Sequence, residues 1–508
     1  MSAVHGVGHV NRFVVDSITG STTDMLSVLV AHSYFLRFDQ KQWQRAKPYP
    51  PLATLQVAAT LRGAGHQVAF FDAMLAEGVE AYDSHLQAAQ PRVALFYEDN
   101  FNFLSKMCLG RMREAACSMI RSASRSGCKI MVAGSDASDA PQEYLAAGAD
   151  VVLLGEGLSA MHVLLERLEN SGNPDNRTWS EGIPNVATLH RDRSSFTKGP
   201  AQLLEQQQPV FPAWDLIDVE SYRSVWRAAH GYFSLNMASS RGCSFRCNWC
   251  AKPIWGNRYL QRPAADVAAE MAHLKRTLQP EHVWFADDIF GFRVDWVREF
   301  ANALRTADAS VPFTIQTRAD LISEDMARAL ADARCIEAWI GAESGSQKIL
   351  DAMHKGTSIA DIHTATARLR AHGVRVCFFI QLGYLNEELE DILATRELIE
   401  TLRPDDIGVS VSYPLPGTRF YEMVKHQLRA KTRWQESNDL SMMFEGTYCS
   451  DFYRTVRDLL HEQVTLEGRH RSRHDAAYLQ SRSSLEKRWN VLIEHEPLHR
   501  SDSRAASN

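Results

Sequence analysis

Three cysteines fall within eight residues in the stretch SSRGCSFRCNWCAKPIWG, residues 239–256: Cys243, Cys247 and Cys250, spaced C-x3-C-x2-C. A four-cysteine zinc site needs a second pair nearby, and the next cysteine is Cys335, so zinc would require a histidine to complete it. Three thiolates on one short loop instead suit three irons of a cubane [4Fe–4S] cluster, leaving the fourth iron open for a small ligand. Gly242 allows the loop to wrap closely, and Arg241 and Arg246 are expected to offset the negative charge of such a cluster. The other six cysteines (Cys108, Cys117, Cys128, Cys335, Cys377 and Cys449) stand singly in apolar surroundings. They read as reduced core thiols and not as a disulfide framework.

The elements that must position this loop are legible as apolar runs. Six candidate strands, at 233–239, 282–288, 313–320, 336–344, 374–383 and 406–417, alternate with helical patterns, and the first leads directly into the cysteines. Six such units predict a partial (β/α)6 barrel, with residues in the loops at the strand ends facing one mouth. Five further runs, at 26–32, 67–73, 92–98, 129–134 and 150–157, are short, apolar and separated by helices, which predicts an α/β domain built on a doubly wound parallel sheet. The expected organisation is an N-terminal tail at 1–24, a Rossmann-like domain at 25–170, a linker at 171–230, the barrel at 231–430 and a helical region at 431–508.

Unusual residues gather after the strands. In the first domain these are Glu98, Asp99 and Asn100; Gly134, Ser135 and Asp136; and Gly155, Glu156 and Gly157. Ligands of doubly wound sheets bind at such strand ends, where glycine admits a bulky group and polar side chains bind its edges. Each set could equally serve as turn and cap residues, with Ser135, Asp136 and Ser138 capping a helix. In the barrel the corresponding residues are Asp287, Asp288, Arg318, Glu343 and Gln381.

The loop Cys243-Ser-Phe-Arg-Cys247-Asn-Trp-Cys250 after the first barrel strand resembles the signature of the radical S-adenosylmethionine (SAM) enzymes, over residues 231 to about 430. The resemblance implies that the three cysteines hold a [4Fe–4S] cluster whose open iron chelates SAM. It implies that Trp249 packs near the adenine, that Asp287 and Asp288 stand where the family meets the SAM amino group, and that Glu343 faces the ribose, with Arg318 and Gln381 at the same mouth. The α/β domain in front, with YPPLATLQVAATLRGAGHQVAFFDA and the closing GEG, resembles the cobalamin-binding subclass. The nine N-terminal strand-end residues named above are then expected at the corrin. A D-x-H-x-x-G motif is missing, which implies a lower cobalt face without a protein histidine. IGAESGSQKILDAMHKGTS and DDIGVSVSYPLPGTRFYE resemble the branch containing anaerobic magnesium-protoporphyrin monomethyl ester cyclase and its methylase relatives, from which GYLNEE at 383–388 departs.

The expected function is a cobalamin-dependent radical SAM methyltransferase acting on an unactivated carbon or phosphorus centre of a specialised metabolite. The alternatives are oxidative cyclisation with the same cofactors and a non-catalytic cobalamin or iron–sulfur sensor. Tyr384 and residues 413–416 are expected to line the substrate pocket. A net charge of −6 gives no attraction to nucleic acid or anionic lipid, and no apolar run reaches the ~20 residues that span a bilayer. The partners expected are therefore a small-molecule substrate and an electron donor such as flavodoxin or ferredoxin, in the cytoplasm.

Overall fold

The computed structural model describes residues 25–102, 110–170, 177–189, 196–198, 210–250, 254–428, 440–469 and 476–501. The expected tail at 1–24 and Cys108 lie outside them. Valine, leucine and phenylalanine runs form β1 (Ser27–Ala31), β2 (Gln67–Phe71), β3 (Val93–Tyr97), β4 (Lys129–Ala133) and β5 (Val151–Leu153). They pair in parallel in the order β2-β1-β3-β4-β5. The segment read as a linker extends this sheet with β6 (Val186–Leu189) and β7 (Phe196–Lys198), both antiparallel.

The second sheet begins at β8 (Ser234–Met237), followed by a small ribbon of β9 (Ser240–Arg241) and β10 (Leu260–Gln261) that brackets the cysteine loop. The other strands are β11 (His282–Phe285), β12 (Phe313–Thr317), β13 (Cys335–Glu343), β14 (Arg375–Leu382) and β15 (Asp406–Val411). All six long strands are parallel, in the order β8-β11-β12-β13-β14-β15, a half-barrel that leaves β8 and β15 at its two edges. An uncovered edge strand invites pairing with another chain; here the helix Ser450–Arg469 packs on β15 and against the helix Leu389–Leu402.

One apolar core runs through both units. Val28, Val30, Leu95 and Tyr97 from one face of the first sheet join Leu235, Met237, Trp226 and Tyr222 in a single buried cluster, while Leu29, Ala31, Ala94 and Phe96 pack a separate core on the other face. Loop residues 48–50 tie the first unit to β8. Asn236 Nδ2 donates to the Pro50 carbonyl at 3.0 Å, Trp226 Nε1 donates to the Pro48 carbonyl at 2.7 Å, and the Tyr49 and Ser234 hydroxyls lie 3.1 Å apart.

The helix Leu52–Gly63 starts after Pro51, which offers no side-chain cap. The cap comes from across the sheet: buried Asp99, just after β3, accepts from the amides of Ala53 at 3.0 Å and Phe101 at 3.1 Å. Removing it leaves a buried donor unsatisfied, at a cost of about 1–3 kcal/mol. Asp99→Ala should therefore lower unfolding free energy by about that amount in chemical denaturation, and Asp99→Asn, which keeps an acceptor, by less. Equal stability of Asp99→Ala and wild type would show that the cap contributes nothing.

Candidate functional site

The cysteine loop sits at the mouth of the half-barrel, immediately after β9. Gly242 holds φ +75°, and a Cβ there would lie 2.4 Å from the Arg258 carbonyl oxygen, so only glycine fits between the loop and its return strand. Asp287, beyond β11, is fully buried and accepts from the Ser239 amide (3.1 and 3.2 Å), the Ser239 hydroxyl (2.7 Å) and the Ser240 hydroxyl. It braces the strand that delivers the cysteines. Burial pushes its carboxyl up to about 6, despite the opposing hydrogen bonds from Ser240 and Ser239.

Asn248, between Cys247 and Trp249, is a hub that sequence reasoning missed. Its amide donates to the Met353 carbonyl at 3.0 Å and its carbonyl accepts from the Phe420 amide at 2.9 Å. Its side chain donates to the Ala352 carbonyl at 2.7 Å and accepts from the Tyr384 hydroxyl at 3.0 Å. Tyr384, expected at a substrate pocket, is instead buried beneath the loop with Phe420, Ile349 and Met353. Trp249 packs against that same cluster, and its Nε1 is buried without a hydrogen-bond partner.

Arg318 meets the loop from the end of β12, and Glu343, at the end of β13, holds Lys355, whose charge acts on Cys247. The Arg318 guanidinium lies 3.7 Å from the Phe245 ring centre, and its Nη1 points at Cys247 Sγ at 3.7 Å. Glu343, at φ +60°, pairs with Lys355 Nζ at 2.6 Å, and both side chains are buried. Gly341 makes room for that pair, since a Cβ there would lie 2.6 Å from Lys355 Nζ. Burial opposes the charge on Lys355, yet Glu343 and then Cys247 hold its pKa above the ordinary value. Among the described residues the cations acting on Cys247 are Arg318 and Lys355, whereas Arg241 pairs with Glu156 and Arg246 is exposed. Gln381 is buried and donates to the Ser412 hydroxyl at 3.0 Å, and Asp288 is exposed at the mouth.

No three His, Cys, Asp or Glu side chains among the described residues are grouped to hold a single metal ion. A zinc site needs such convergence on one point, whereas a cubane takes one thiolate per iron. Three thiols on one braced loop, with a guanidinium against one sulfur, fit the cluster.

The strand ends of the first domain face this loop, but most of their polar residues already have partners. Glu156 pairs with Arg241 at 2.6 Å, and its carbonyl accepts from the Tyr97 hydroxyl at 2.8 Å. Asp136 is held by Arg113 and by the Tyr144 hydroxyl at 2.6 Å. Glu98 accepts from the Ser33 amide at 3.0 Å, and a Cβ on Gly134 would strike it at 2.8 Å. Gly155 donates to the Ser138 hydroxyl at 3.0 Å and approaches the Ile254 carbonyl, and a Cβ on Gly157 would meet Leu153. The helix Ser135–Asp139 has Gly134 at its N-cap and so no side-chain cap bond.

Among the described residues at these strand ends, three buried polar atoms have no hydrogen-bond partner: His32 Nδ1, Asn100 Oδ1 and Ser135 Oγ. They lie beyond β1, β3 and β4, which are adjacent, so a polar ligand at this edge could satisfy all three. A crevice of about 20 Å³ beside Asn100 is lined by Tyr97, Phe101, Glu156, Arg241 and Trp255 as well. His32, whose Nε2 lies 3.0 Å from Asp72, was not foreseen, because an isolated histidine after a strand carries no spacing signal.

Comparison with known proteins places the domain and the fold. Residues 237–399 match the Radical SAM superfamily and form a radical SAM domain. An uncharacterized methyltransferase of Pyrococcus horikoshii is 23% identical over 291 residues, 56% of this chain and 61% of that protein, so the chain spans less than two thirds of this relative's length. Hopanoid C-3 methylase of Methylococcus capsulatus is 23% identical over 394 residues, 75% of this chain and 70% of that one. The structure of the radical SAM methyltransferase TsrM from Kitasatospora setae, with cobalamin and a [4Fe–4S] cluster bound, has the same fold: TM-score 0.62 at 18% identity, over 80% of this chain and 75% of that one.

The raised Asp287 pKa has a definite sign in stability. The native state binds the proton more tightly than the unfolded chain, so the contribution is present below about pH 4 and is lost as pH rises through about 6. Thermal melts of the apoprotein should show wild type losing stability relative to Asp287→Asn across that interval, by up to roughly 3 kcal/mol. Parallel curves would contradict the burial argument.

Proposed function

We propose that this radical SAM chain is a cobalamin-dependent methyltransferase acting on an unactivated carbon or phosphorus centre of a small specialised metabolite. The observation that carries the reading is that the three-cysteine loop and the strand ends of an α/β domain meet face to face, joined by Arg241–Glu156. The names of the compared proteins, a methyltransferase, a methylase and a methyltransferase with cobalamin and cluster bound, support methyl transfer.

When bound, the cofactors would supply the chemistry: reductive cleavage of SAM to methionine and a hydrogen-abstracting 5′-deoxyadenosyl radical, and a methyl group carried on cobalamin from a second SAM, at a cost of two external electrons per turnover. Cys243, Cys247 and Cys250 would hold three irons. Asp288, Glu343 and Gln381 would bind the polar groups of SAM around the mouth, and Trp249 would pack at its adenine. His32, Asn100 and Ser135 would satisfy polar groups of the corrin, while Asp99, Asp136 and Glu156 hold the backbone that presents them. Asp287 and Asn248 keep the thiols in place. The Phe101–Trp255 contact, with ring centres 5.3 Å apart, helps exclude water between the two units. An electron donor of the flavodoxin or ferredoxin kind would supply both electrons.

The test is anaerobic. Reconstituted protein with SAM, methylcobalamin and a strong reductant should form both 5′-deoxyadenosine and S-adenosylhomocysteine, and Cys247→Ala should form no deoxyadenosine. Deoxyadenosine without S-adenosylhomocysteine would replace methylation by an oxidative reaction. Neither product, from protein carrying full iron and sulfide, would overturn the enzymatic reading.

A further inference from the structure

We propose that Arg318 sets the reduction potential of the cluster bound by the cysteine loop, acting through the Cys247 sulfur; the inference rests on the functional reading above. Arg318 is 5% exposed, and a buried guanidinium is costly unless its charge and donors are used. Its Nε and Nη2 donate to Asp320 at 2.9 and 3.1 Å, and Nη2 also reaches the Lys355 carbonyl at 2.7 Å and the Thr357 hydroxyl at 2.9 Å. The plane is stacked on Phe245, two residues before Cys247. With those contacts fixing the group, Nη1 is left directed at Cys247 Sγ.

This anchoring explains why HKGTS follows the helix Gln347–Ala352: Lys355 and Thr357 wrap Arg318, and the Lys355 side chain returns to Glu343. Glu343 already sits 2.6 Å from Lys355 Nζ, so the Lys355 charge is largely compensated. Arg318 shares its charge with Asp320, whose side chain is 25% exposed, but among the described residues it alone donates toward the sulfur. A fixed positive donor on a cluster thiolate stabilises the electron-rich reduced state more than the oxidised one and so raises the potential. Arg318 therefore acts on the cluster through Cys247 and not as one of its ligands.

The experiment is a redox titration of reconstituted full-length protein followed by electron paramagnetic resonance, with iron and sulfide quantified in every sample. At a fixed poise, Arg318→Gln should lower the reduced-to-oxidised ratio about tenfold, equivalent to about 59 mV for a one-electron couple, with Arg318→Lys in between. Asp320→Asn, which removes the compensating carboxylate, should shift the ratio the opposite way. Opposite shifts at full cluster content are not the result of loosened packing. An unchanged ratio in Arg318→Gln overturns the inference, and if that variant loses its cluster, an unchanged ratio in Asp320→Asn overturns it instead. A wild-type chain that takes up no iron and sulfide would overturn the functional reading itself, before any potential is measured.

Discussion

The structure depends on holding one short loop still. Eight residues carrying three thiols have no regular structure of their own, and loops of that kind are the mobile parts of a fold. Asn248 removes that freedom by using all of its hydrogen-bonding groups at once, two on the end of the helix Gln347–Ala352, one on Phe420 and one on Tyr384. Each bond is worth only about 1 kcal/mol net, but the amide is buried, so breaking any one strands a polar group. The loop is thereby locked to the fourth and fifth strands and to the segment after the sixth. Asp287 fixes it to the second strand and Arg318 to the third.

A second constraint follows, because chemistry shared between two domains requires that they be docked as well as folded. The shared apolar core and the 48–50 loop hold the units together at a distance from the cysteines. Arg241–Glu156 and Phe101–Trp255 do so beside them. Glu156 thus turns a strand-end loop of the first domain into a strut for the cysteine loop, and the Tyr97 hydroxyl fixes its backbone.

Every long strand was legible in the sequence, because parallel strands covered on both faces are written as continuous apolar runs. The runs overshot chiefly at their carboxyl ends, at β5, β11, β12 and β15, where the chain leaves the sheet for the loops at the strand ends. The cysteine loop was legible for the opposite reason: its chemistry is written in local spacing. Partnerships across the fold were not. Asp99, Asp287 and Glu156 carry the composition of ligand contacts, yet each bonds a residue 46, 48 or 85 positions away. Lys355 and Asn248 were missed because a lone lysine in HKGTS and an asparagine between cysteines acquire their roles only when β13 and β14 bring their partners beside them. The linker hid β6 and β7 because two short edge strands leave little period to read.

The claim that everything else serves is that this loop holds a cubane with one iron open to SAM. Electron paramagnetic resonance of the reduced, reconstituted protein, recorded before and after addition of SAM, tests it directly. A cubane signal of one spin per chain whose g-values move when SAM is added is the predicted result. A signal that SAM leaves unchanged, from protein with four irons per chain, would contradict it.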